Sequence, residues 1–503
     1  MSKIMEAYNR IEDIVGSKYV SNSEPVRYSY SRNADPILKG MPDIIVRPET
    51  TEDVSEVVKI ANQTGTKIIP RGGGADLTGG AKPIGDGGIV IDLTRMNRVL
   101  DVDLKTRIVT VECGISWSEL CDYLKKIEVG YYTGSTGPAS GFGATIGGGL
   151  SNNSVGGGGA QMYGAVTEQC VGLEVVLPTG EIINTGAKAN QFMDRAFTRF
   201  ALGPDYSGIF LGDVGIHGVK TKASFNIYPL PEYAAFNTFD IKGKDSIDSA
   251  QKAADIMIKW QHSGLKVHDF YFYTETYARL LKMFQVKKCF VNADIKGGIM
   301  FYTTIADSNK ELEENVETLN KIADIEGVRK LGDTVEDGNL GKWFYEEDGR
   351  WQWAHIYWGL LGPAGGSLGT CLKTPTDLLP DYVSLYQKWI KKNTKDLSKV
   401  GGGAADFIVF GVHPNYIDVT GGIAVKPSPK HVETIYNLWK DLLIAQIKEL
   451  GGLHYWMGEI IGHSLVESGA LDPKYLDFIV NIKKILDPNK IMSPNKFHLA
   501  QYY

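Results

Sequence analysis

The sequence lacks the cysteine pattern of a disulfide-bonded or metal-binding protein. Its five cysteines are widely scattered and include no CxxC pair: they are Cys113, Cys121, Cys170, Cys289 and Cys371. Disulfide scaffolds, zinc ribbons and iron–sulfur clusters need cysteines at short, regular spacings, so we expect none of the three within this chain. An iron–sulfur relay would have to lie on another chain.

Long apolar runs and blocks of positive charge are also missing. No uninterrupted apolar stretch approaches the ~20 residues that cross a bilayer, and the N-terminus MSKIMEAYNR has no apolar core of a signal peptide. A formal net charge of -6 without a long basic block argues against nucleic acid or an anionic membrane surface as a partner. We therefore expect a soluble, cytoplasmic protein with no membrane span and no nucleic-acid partner.

Glycine, in contrast, is abundant, with 58 residues in a chain of 503 that is long enough for two or three lobes. Five of them fall in the first glycine block, PRGGGADLTGGA at residues 70–81, between strand-like residues 67–69 and 89–93. A loop so poor in Cβ atoms can turn several N–H groups towards one point and bind a phosphate. A flexible surface turn is the alternative. The spacing fits neither a P-loop nor a Rossmann fingerprint.

The second glycine block spans residues 134–164 and reads GSTGPASGFGATIGGGLSNNSVGGGGAQMYG. A flexible linker is the alternative reading of such a segment. Here, however, two strand patterns at 171–177 and 181–185 follow at once and flank the turn Pro178-Thr179-Gly180. The block therefore leads into a sheet, which favours a backbone that closely approaches a ligand.

Four segments of the chain resemble FAD-binding oxidoreductases related to vanillyl alcohol oxidase and p-cresol methylhydroxylase, with closer likeness to the glycolate oxidase and D-lactate dehydrogenase branch. The two glycine blocks are similar to the first and second flavin segments of that family. Residues 205–231, DYSGIFLGDVGIHGVKTKASFNIYPLP, resemble a third segment, and residues 486–496, LDPNKIMSPNK, resemble the terminal motif. The family's Ser-Glu-Gly-Thr is replaced here by Asp213-Val214-Gly215-Ile216, with His217 after it.

The resemblance implies a tightly held FAD. Ala75 stands where some relatives carry a histidine that links the flavin covalently, so we expect no covalent link in the first glycine block, while attachment through a cap histidine stays open. The expected cofactor-binding residues, taken from the matching positions, are Arg71, Gly72, Gly73, Gly74, Ala75, Asp76, Gly79, Gly80, Gly137, Ala144, Thr145, Gly147, Gly148, Asn152, Gly157, Tyr163, Gly164, Gly215, Gly218 and Val219.

From about residue 232 the glycines thin out and longer periodic segments follow. Residues 267–273 and 298–305 alternate as strands, and residues 308–324 and 429–450 read as amphipathic helices. Such alternation suits an α+β unit with an antiparallel sheet. Together with the resemblance, this predicts an α+β fold with a two-subdomain FAD-binding domain of the p-cresol methylhydroxylase type (1–231), an α+β cap domain with an antiparallel sheet (232–465), and a C-terminal segment returning to the FAD domain (466–503).

The catalytic candidates lie in the predicted cap domain. A flavin that accepts hydride needs a base for the substrate hydroxyl and an anchor for the rest of the substrate. The family's HxGDGNxH and GEHG motifs, which supply metal ligands and a base, are matched only by His413 and by Gly458-Glu459, so we expect no metal. We expect Glu459 to be the base, because its apolar neighbours favour the uncharged form of a carboxyl group.

Tyr416, His454 and His463 are further catalytic candidates in the same region, and each could instead be a buried structural group. The stretch 343–359, WFYEEDGRWQWAHIYWG, concentrates aromatic residues around Arg350. It fits an aromatic core segment or an aromatic-substrate pocket. Arg350 could also bind a substrate carboxylate.

These observations predict an FAD-dependent dehydrogenase that oxidises a hydroxyl-bearing small molecule, a 2-hydroxy acid of the glycolate or D-lactate type. Electrons would pass to a quinone or to a protein acceptor, such as an electron-transfer flavoprotein or an iron–sulfur subunit. We also expect a homodimer. Two alternatives stay open: oxidation of a phenolic or benzylic compound, and an FAD-binding electron-transfer subunit of a larger complex.

Overall fold

The computed structural model describes residues 2–502 except 135, 136, 139, 156, 157, 201, 284–287, 289 and 346–365. The side chains at 280, 281, 343–345, 367 and 404–407 are also outside the description. In the part of the chain so described, no helix combines the length and the apolar character needed to cross a membrane.

The first sheet has four strands in the order β1-β2-β4-β3. Its elements are α1 (Lys3–Val15), β1 (Val20–Ser21), α2 (Glu24–Ser29), β2 (Ile44–Val46), α3 (Thr51–Thr64), β3 (Ile68–Arg71) and β4 (Ile89–Asp92). Strands β2, β3 and β4 run parallel, as the helical crossover α3 requires. A reciprocal capping box between Thr50 and Asp53 starts α3, and Gly65 ends it with a left-handed φ of 68°.

The second sheet has five antiparallel strands in the order β5-β6-β10-β8-β9. The elements of this region are β5 (Val99–Asp103), β6 (Ile108–Glu112), α4 (Trp117–Lys126), β7 (Tyr131–Tyr132), α5 (Ile146–Asn152), α6 (Ala160–Tyr163), β8 (Cys170–Val176), β9 (Ile182–Asn184), β10 (Val219–Asn226) and β11 (Tyr228–Pro229). The predicted hairpin after the second glycine block is confirmed as β8 and β9. The second glycine block therefore lies between α4 and the central strands of this sheet.

The third sheet has eight antiparallel strands in the order β15-β12-β14-β13-β17-β18-β16-β19. Its strands are β12 (Tyr233–Ile241), β13 (Val267–Tyr273), β14 (Gly298–Ala306), β15 (Val328–Lys330), β16 (Gly366–Pro375), β17 (Gly403–Val412), β18 (Tyr416–Val425) and β19 (Leu453–His454). Its helices are α7 (Ser246–Gln261), α8 (Glu275–Met283), α9 (Asn309–Ala323), α10 (Leu340–Tyr345), α11 (Leu379–Lys399), α12 (Val432–Leu450), α13 (Glu459–Glu467) and α14 (Pro473–Leu486). The antiparallel sheet and the α+β class agree with the prediction.

Side chains alternate between the two faces of this large sheet, as the strand period of 2 requires. Phe270, Phe272 and Val409 point to one face and pack in a core with residues of α7, α11 and α12. Tyr271 and Phe410 point to the other face. The core on that second face includes Val155, Ala160 and Ala165, which belong to the second glycine block or follow it directly. The second face is therefore turned towards the glycine blocks.

The C-terminal residues contact the first sheet again. Met492 forms a parallel bridge with Ile68, and Ser493 N–H donates to the Ile68 carbonyl at 2.8 Å. Lys483, which is buried, donates to the carbonyls of Ile216 and Met492 at 2.6 and 2.7 Å and pairs with Asp487 at 2.5 Å. These contacts tie the chain end to the third resemblance segment, whose Ile216 carbonyl is one of the acceptors.

Candidate active site

A cavity lies where the two glycine blocks face the large sheet. The first glycine block and the start of α5 line one side of it, together with Gly215, Gly218 and Lys220. The opposite side is formed by Ile408, Phe410 and Thr420 of the large sheet and by Tyr455 and Trp456, which follow β19. The cavity is thus bounded by backbone on one side and by aromatic and apolar side chains on the other.

The two glycine blocks pack backbone against backbone beside this cavity. A Cβ atom on Gly73 would lie 1.5 Å from the Gly143 carbonyl oxygen, and one on Gly72 would lie 2.0 Å from Thr145 Oγ1. Positive φ is not the reason for glycine at 72 and 73, although Gly74 does have a φ of 69°. The glycines of the two blocks therefore fit an extended cofactor such as FAD, because they bring both backbones close to the same cavity.

Fourteen of the residues expected to bind the cofactor line the cavity: Arg71, Gly72, Gly73, Gly74, Ala75, Asp76, Gly80, Ala144, Thr145, Gly147, Gly148, Asn152, Gly215 and Gly218. Gly157 lies outside the described residues. The structure places the other five against protein neighbours. A Cβ at Gly79, Gly137 or Gly164 would meet Glu459, Trp117 or Glu168, respectively; Tyr163 stacks on Tyr228 with ring centroids 3.8 Å apart; Val219 is buried in the core.

Two charged residues of the first glycine block hold the shape of the loop. Asp76 accepts hydrogen bonds from the N–H groups of Gly80 and Thr78, at 2.5 and 3.1 Å, and from Asn33 Nδ2 at 2.7 Å. Arg71 spans the loop and donates to the Ala81 carbonyl at 2.8 Å. Because both side chains bond to protein groups, their contribution to a bound cofactor includes fixing the glycine backbone.

The altered third segment is stabilised by a buried ion pair. Asp213 accepts from the N–H groups of Gly215 and His217 at 3.0 and 3.2 Å and pairs with Lys220 at 2.6 Å. Both charged side chains are almost fully buried, and Lys220 lines the cavity. Lys220 was not among the residues predicted from the sequence. Asp213 thus holds the Gly215 turn and places a cation at the cavity wall.

Glu459 does not have the purely apolar surroundings expected from its neighbours in the sequence. Its carboxylate lies 2.5 Å from the ammonium group of Lys82, whose side chain is fully buried. Its backbone N–H donates to the Thr78 carbonyl at 2.6 Å. Glu459 is not among the described residues that line the cavity. The structure therefore shows Glu459 joining α13 to the first glycine block, and its role as a base remains a prediction.

The three histidine candidates lie apart. His413 is exposed in the turn between β17 and β18. His454 is buried beside the Cys371 carbonyl, with Nδ1 at 3.1 Å from that oxygen, and burial lowers its pKa to about 4. His463 Nε2 lies 3.3 Å from the Asn495 carbonyl, and burial lowers the pKa of this histidine. These histidines do not form a cluster around the cavity.

Tyr416 and Arg350 are the other two catalytic candidates. Tyr416 donates to Glu168 Oε1 at 3.2 Å, and burial raises the pKa of this phenol. Arg350 lies outside the described residues, as does most of the aromatic stretch 343–359.

A cluster that the sequence prediction missed lies on the cavity-facing side of the large sheet. In the pairing of β16 with β18, Cys371 lies opposite Thr420 and Lys373 opposite Asp418. Directly opposite residues of an antiparallel pair share a face. The neighbouring pairing places Ile408 opposite Thr420 and Phe410 opposite Asp418. The cap cluster Cys371, Lys373, Asp418 and Thr420 therefore shares its face with the cavity-lining residues of β17.

Asp418 is the centre of the cap cluster. Its Oδ1 accepts hydrogen bonds from Cys371 Sγ at 3.0 Å and Thr420 Oγ1 at 3.1 Å. Within the described part of the chain its other oxygen, Oδ2, is buried without a hydrogen-bond partner. Burial raises the pKa of Asp418 to about 7. The carboxyl group therefore changes charge near neutral pH.

The sequence of the chain is similar to that of known FAD-linked proteins. A family model described as "FAD binding domain" matches residues 42–186, which include the first glycine block and the second. The glycolate oxidase subunit GlcD of Bacillus subtilis is 32% identical over 219 residues, covering 44% of this chain and 44% of that protein. A probable mitochondrial D-lactate dehydrogenase of Danio rerio is 24% identical over 492 residues, covering 96% of this chain and 90% of the relative. The first of these alignments thus spans less than half of the relative's length.

Solved structures match the chain over nearly its whole length. p-Cresol methylhydroxylase with bound substrate superposes with a TM-score of 0.80 at 19% identity, covering 99% of this chain and 97% of that one. The 4-ethylphenol oxidase of Gulosibacter chungangensis, in its isoeugenol complex, gives a TM-score of 0.79 at 17% identity with the same coverage. At these identities the likeness concerns the fold, which is of the p-cresol methylhydroxylase type.

The chain thus carries an FAD-binding domain within residues 42–186 and has a fold of the p-cresol methylhydroxylase type. It is a flavoprotein enzyme, and its cofactor is FAD. The glycine-lined side of the cavity is the part of the molecule that fits this cofactor.

Proposed function

We propose that the protein is an FAD-dependent dehydrogenase that oxidises a 2-hydroxy acid of the glycolate or D-lactate type. The observation that carries this proposal is the position of the Lys373 ammonium group. It lies 5.8 Å and 5.1 Å from the ring centroids of Tyr416 and Tyr455. No hydrogen bond or ion pair joins it to another group in the described part of the chain.

A half-buried ammonium group that makes no hydrogen bond or ion pair is suited to bind an anionic substrate. Burial lowers the pKa of Lys373, which reflects the cost of removing the ammonium group from water. A carboxylate placed against it would offset that cost through a charge-assisted hydrogen bond. A 2-hydroxy acid carries such a carboxylate on the carbon that bears the hydroxyl group. Lys373 would therefore orient that carbon relative to the cavity.

The chain's other residues fit this orientation. When bound, FAD supplies a two-electron acceptor that takes hydride from a hydroxyl-bearing carbon. Thr420 and Tyr455 present hydroxyl groups on the substrate side of the cavity, and Phe410 and Trp456 help to exclude water from it. The relatives named as a glycolate oxidase subunit and as D-lactate dehydrogenases favour the same substrate class.

The electron acceptor, the domain boundaries and the assembly belong to the proposal as well. The four described cysteines are free, and three of them are buried. We therefore propose that electrons leave to a quinone or to a protein such as an electron-transfer flavoprotein or an iron–sulfur subunit. The boundaries 1–231, 232–465 and 466–503, a cytoplasmic location and a homodimer remain predictions.

Oxidation of a phenolic or benzylic compound is the second candidate function. Phe410, Tyr455 and Trp456 line the cavity, and the ring centroids of Tyr455 and Trp456 lie 5.7 Å apart. An aromatic wall of this kind suits an aromatic substrate. The observation favours this candidate less than Lys373 favours the first, because a neutral phenol leaves the ammonium group without a partner.

Anaerobic reduction of the bound flavin tests the two candidates together. The purified FAD-loaded protein is mixed with glycolate, D-lactate, longer 2-hydroxy acids, p-cresol and 4-ethylphenol, and the loss of flavin absorbance is followed. The proposal predicts bleaching by 2-hydroxy acids. Bleaching by the phenols alone would support the second candidate, and no bleaching by any compound would support an electron-transfer subunit.

A further inference from the structure

Asp418 has a carboxylate oxygen that the fold leaves without a partner. Within the described residues, Oδ2 is buried and makes no hydrogen bond, whereas Oδ1 accepts from Cys371 and Thr420. The residue itself is fully buried. Leaving such an atom unsatisfied costs stability, so a purely structural carboxyl group at this position is unexplained.

Thr420 connects Asp418 to the cavity. Thr420 lines the cavity, and its Oγ1 donates to Asp418 Oδ1 at 3.1 Å. The same Oγ1 lies 3.0 Å from Cys371 Sγ. A hydroxyl group that donates to a carboxylate keeps lone pairs for a second donor. A substrate hydroxyl in the cavity can therefore donate to Thr420 while Thr420 donates to Asp418.

We propose that Asp418 is the final acceptor of the substrate hydroxyl proton and that this proton reaches it through Thr420 Oγ1. The inference rests on the proposed function, since it needs a hydroxyl-bearing substrate beside Thr420. It assigns to the cap cluster the proton-accepting role that the sequence had suggested for Glu459. Glu459 is instead engaged by Lys82.

The atoms and electrons of this step balance. The C–H bond of the 2-hydroxy acid breaks and its hydrogen leaves with both electrons as hydride, and bound FAD would supply the two-electron oxidant. The O–H bond breaks and its proton moves to Thr420 Oγ1, while the proton of Thr420 moves to Asp418. A C=O bond forms, so the product is the 2-oxo acid. Asp418 ends protonated and Thr420 is regenerated.

The groups around Asp418 support an acceptor that works near neutral pH. Lys373 from β16 favours the charged carboxylate, and burial favours the neutral acid. Cys371 from β16, Tyr416 from β18 and Tyr455 after β19 face the same carboxyl group. Tyr382 from α11 is the other titratable group that interacts with it. Together they leave the pKa of Asp418 at about 7, so the ionised, accepting form is populated above that pH.

The test compares three variants by anaerobic flavin reduction at saturating 2-hydroxy acid. Asp418→Asn keeps the shape but cannot accept the proton, so reduction slows by a factor of ~10² to 10⁴. Thr420→Val keeps the volume and removes the relay hydroxyl, so reduction slows by a factor of at least ~10. Thr420→Ser restores the hydroxyl and should reduce its flavin close to the parent rate. FAD content per chain checks that each variant is folded.

Two further readouts separate a proton acceptor from a structural residue. The parent reduction rate should rise with pH through about 7, following the ionisation of Asp418, and Asp418→Asn should lose this rise. Binding of the 2-oxo acid product, seen as a shift of the flavin spectrum, should persist in Asp418→Asn because Lys373 is unchanged. The variant thus loses rate and keeps affinity.

The outcomes also distinguish this inference from the proposed function. If 2-hydroxy acids reduce the parent flavin and both Asp418→Asn and Thr420→Val match the parent rate, the inference is wrong and the function stands. Equal rates for Thr420→Ser and Thr420→Val would likewise exclude the relay. If no 2-hydroxy acid reduces the parent flavin, the function and the inference both fail.

Discussion

The contact between Gly73 and Gly143 gives a sharp prediction about cofactor binding. In Gly73→Ala the new Cβ would lie 1.5 Å from the Gly143 carbonyl oxygen, whereas real Cβ contacts essentially never fall below 3.0 Å. The two glycine blocks must therefore move apart by at least about 1.5 Å. Gly143→Ala is the matched control, because its Cβ would meet nothing closer than Ala75 Cβ at 3.9 Å. Neither glycine has a positive φ, so backbone strain does not distinguish them.

The size of the effect follows from the cost of overpacking. Inserting a methyl group into a packed junction costs about 1 to 3 kcal/mol, which corresponds to a ~5- to 150-fold weaker binding of FAD if the junction must be intact to bind it. Gly143→Ala should bind FAD as the parent does. Titration of the flavin-free proteins with FAD, followed by flavin fluorescence, gives the dissociation constants, and circular dichroism checks the fold. Equal FAD affinity of Gly73→Ala and Gly143→Ala would refute the close approach of the two blocks.

Three other perturbations probe the rest of the site. Glu459→Gln leaves the buried Lys82 ammonium group without its counter-ion and should destabilise the protein by about 3 kcal/mol in chemical denaturation. The double variant Lys82→Met/Glu459→Leu should recover much of this stability. An unchanged denaturation midpoint in Glu459→Gln would contradict the ion pair. Burial lowers the pKa of His454 to about 4. Between pH 6.5 and 4 only the unfolded chain therefore takes up its proton, and stability falls as pH falls, by up to about 1.4 kcal/mol per pH unit. His454→Asn should lose less stability than the parent on acidification, and an identical pH dependence would count against a neutral buried imidazole. Flavin reduction should survive a chelator, since the described residues contain no group of three His, Cys, Asp or Glu side chains suited to a metal. Activity that is lost with the chelator and recovered with zinc or manganese would overturn the expectation of no metal.

The parts of the fold that the sequence predicted are those with a local signal. The turn Pro178-Thr179-Gly180 is a signal of three residues, and the hairpin of β8 and β9 that it predicts is present. The strands β13 and β14 lie where the sequence predicts strands, and every residue in both is buried because the sheet is covered on both faces. The glycine blocks were recognisable because a backbone contact such as that of Gly73 tolerates no side chain. Close approach, and not positive φ, requires glycine at this position.

The residues on the cap side of the cavity are brought together by contacts between distant parts of the sequence. Lys82 and Glu459 are 377 positions apart in the chain, and their pairing requires the packing of α13 on the first glycine block. The cap cluster requires the register of β16 with β18, which places Lys373 opposite Asp418. A shift of one residue in either strand would turn that strand's side chains to the opposite face and separate the pair. The alternation Cys371-x-Lys373 and Asp418-x-Thr420 is present in the sequence, but only the strand register brings the two pairs together.

The most direct test of the central claim asks whether Lys373 recognises the substrate carboxylate. D-lactate and propane-1,2-diol differ in that carboxylate, and flavin reduction by both is measured with the parent, with Lys373→Met and with the control Lys399→Met, whose lysine is exposed beside Asp396. A charged hydrogen bond contributes about 1.5 to 3 kcal/mol, so the preference for D-lactate should fall ~10- to 150-fold in Lys373→Met and stay unchanged in Lys399→Met. If Lys373→Met prefers D-lactate as strongly as the parent does, Lys373 does not bind the carboxylate and the proposed substrate class loses its structural basis.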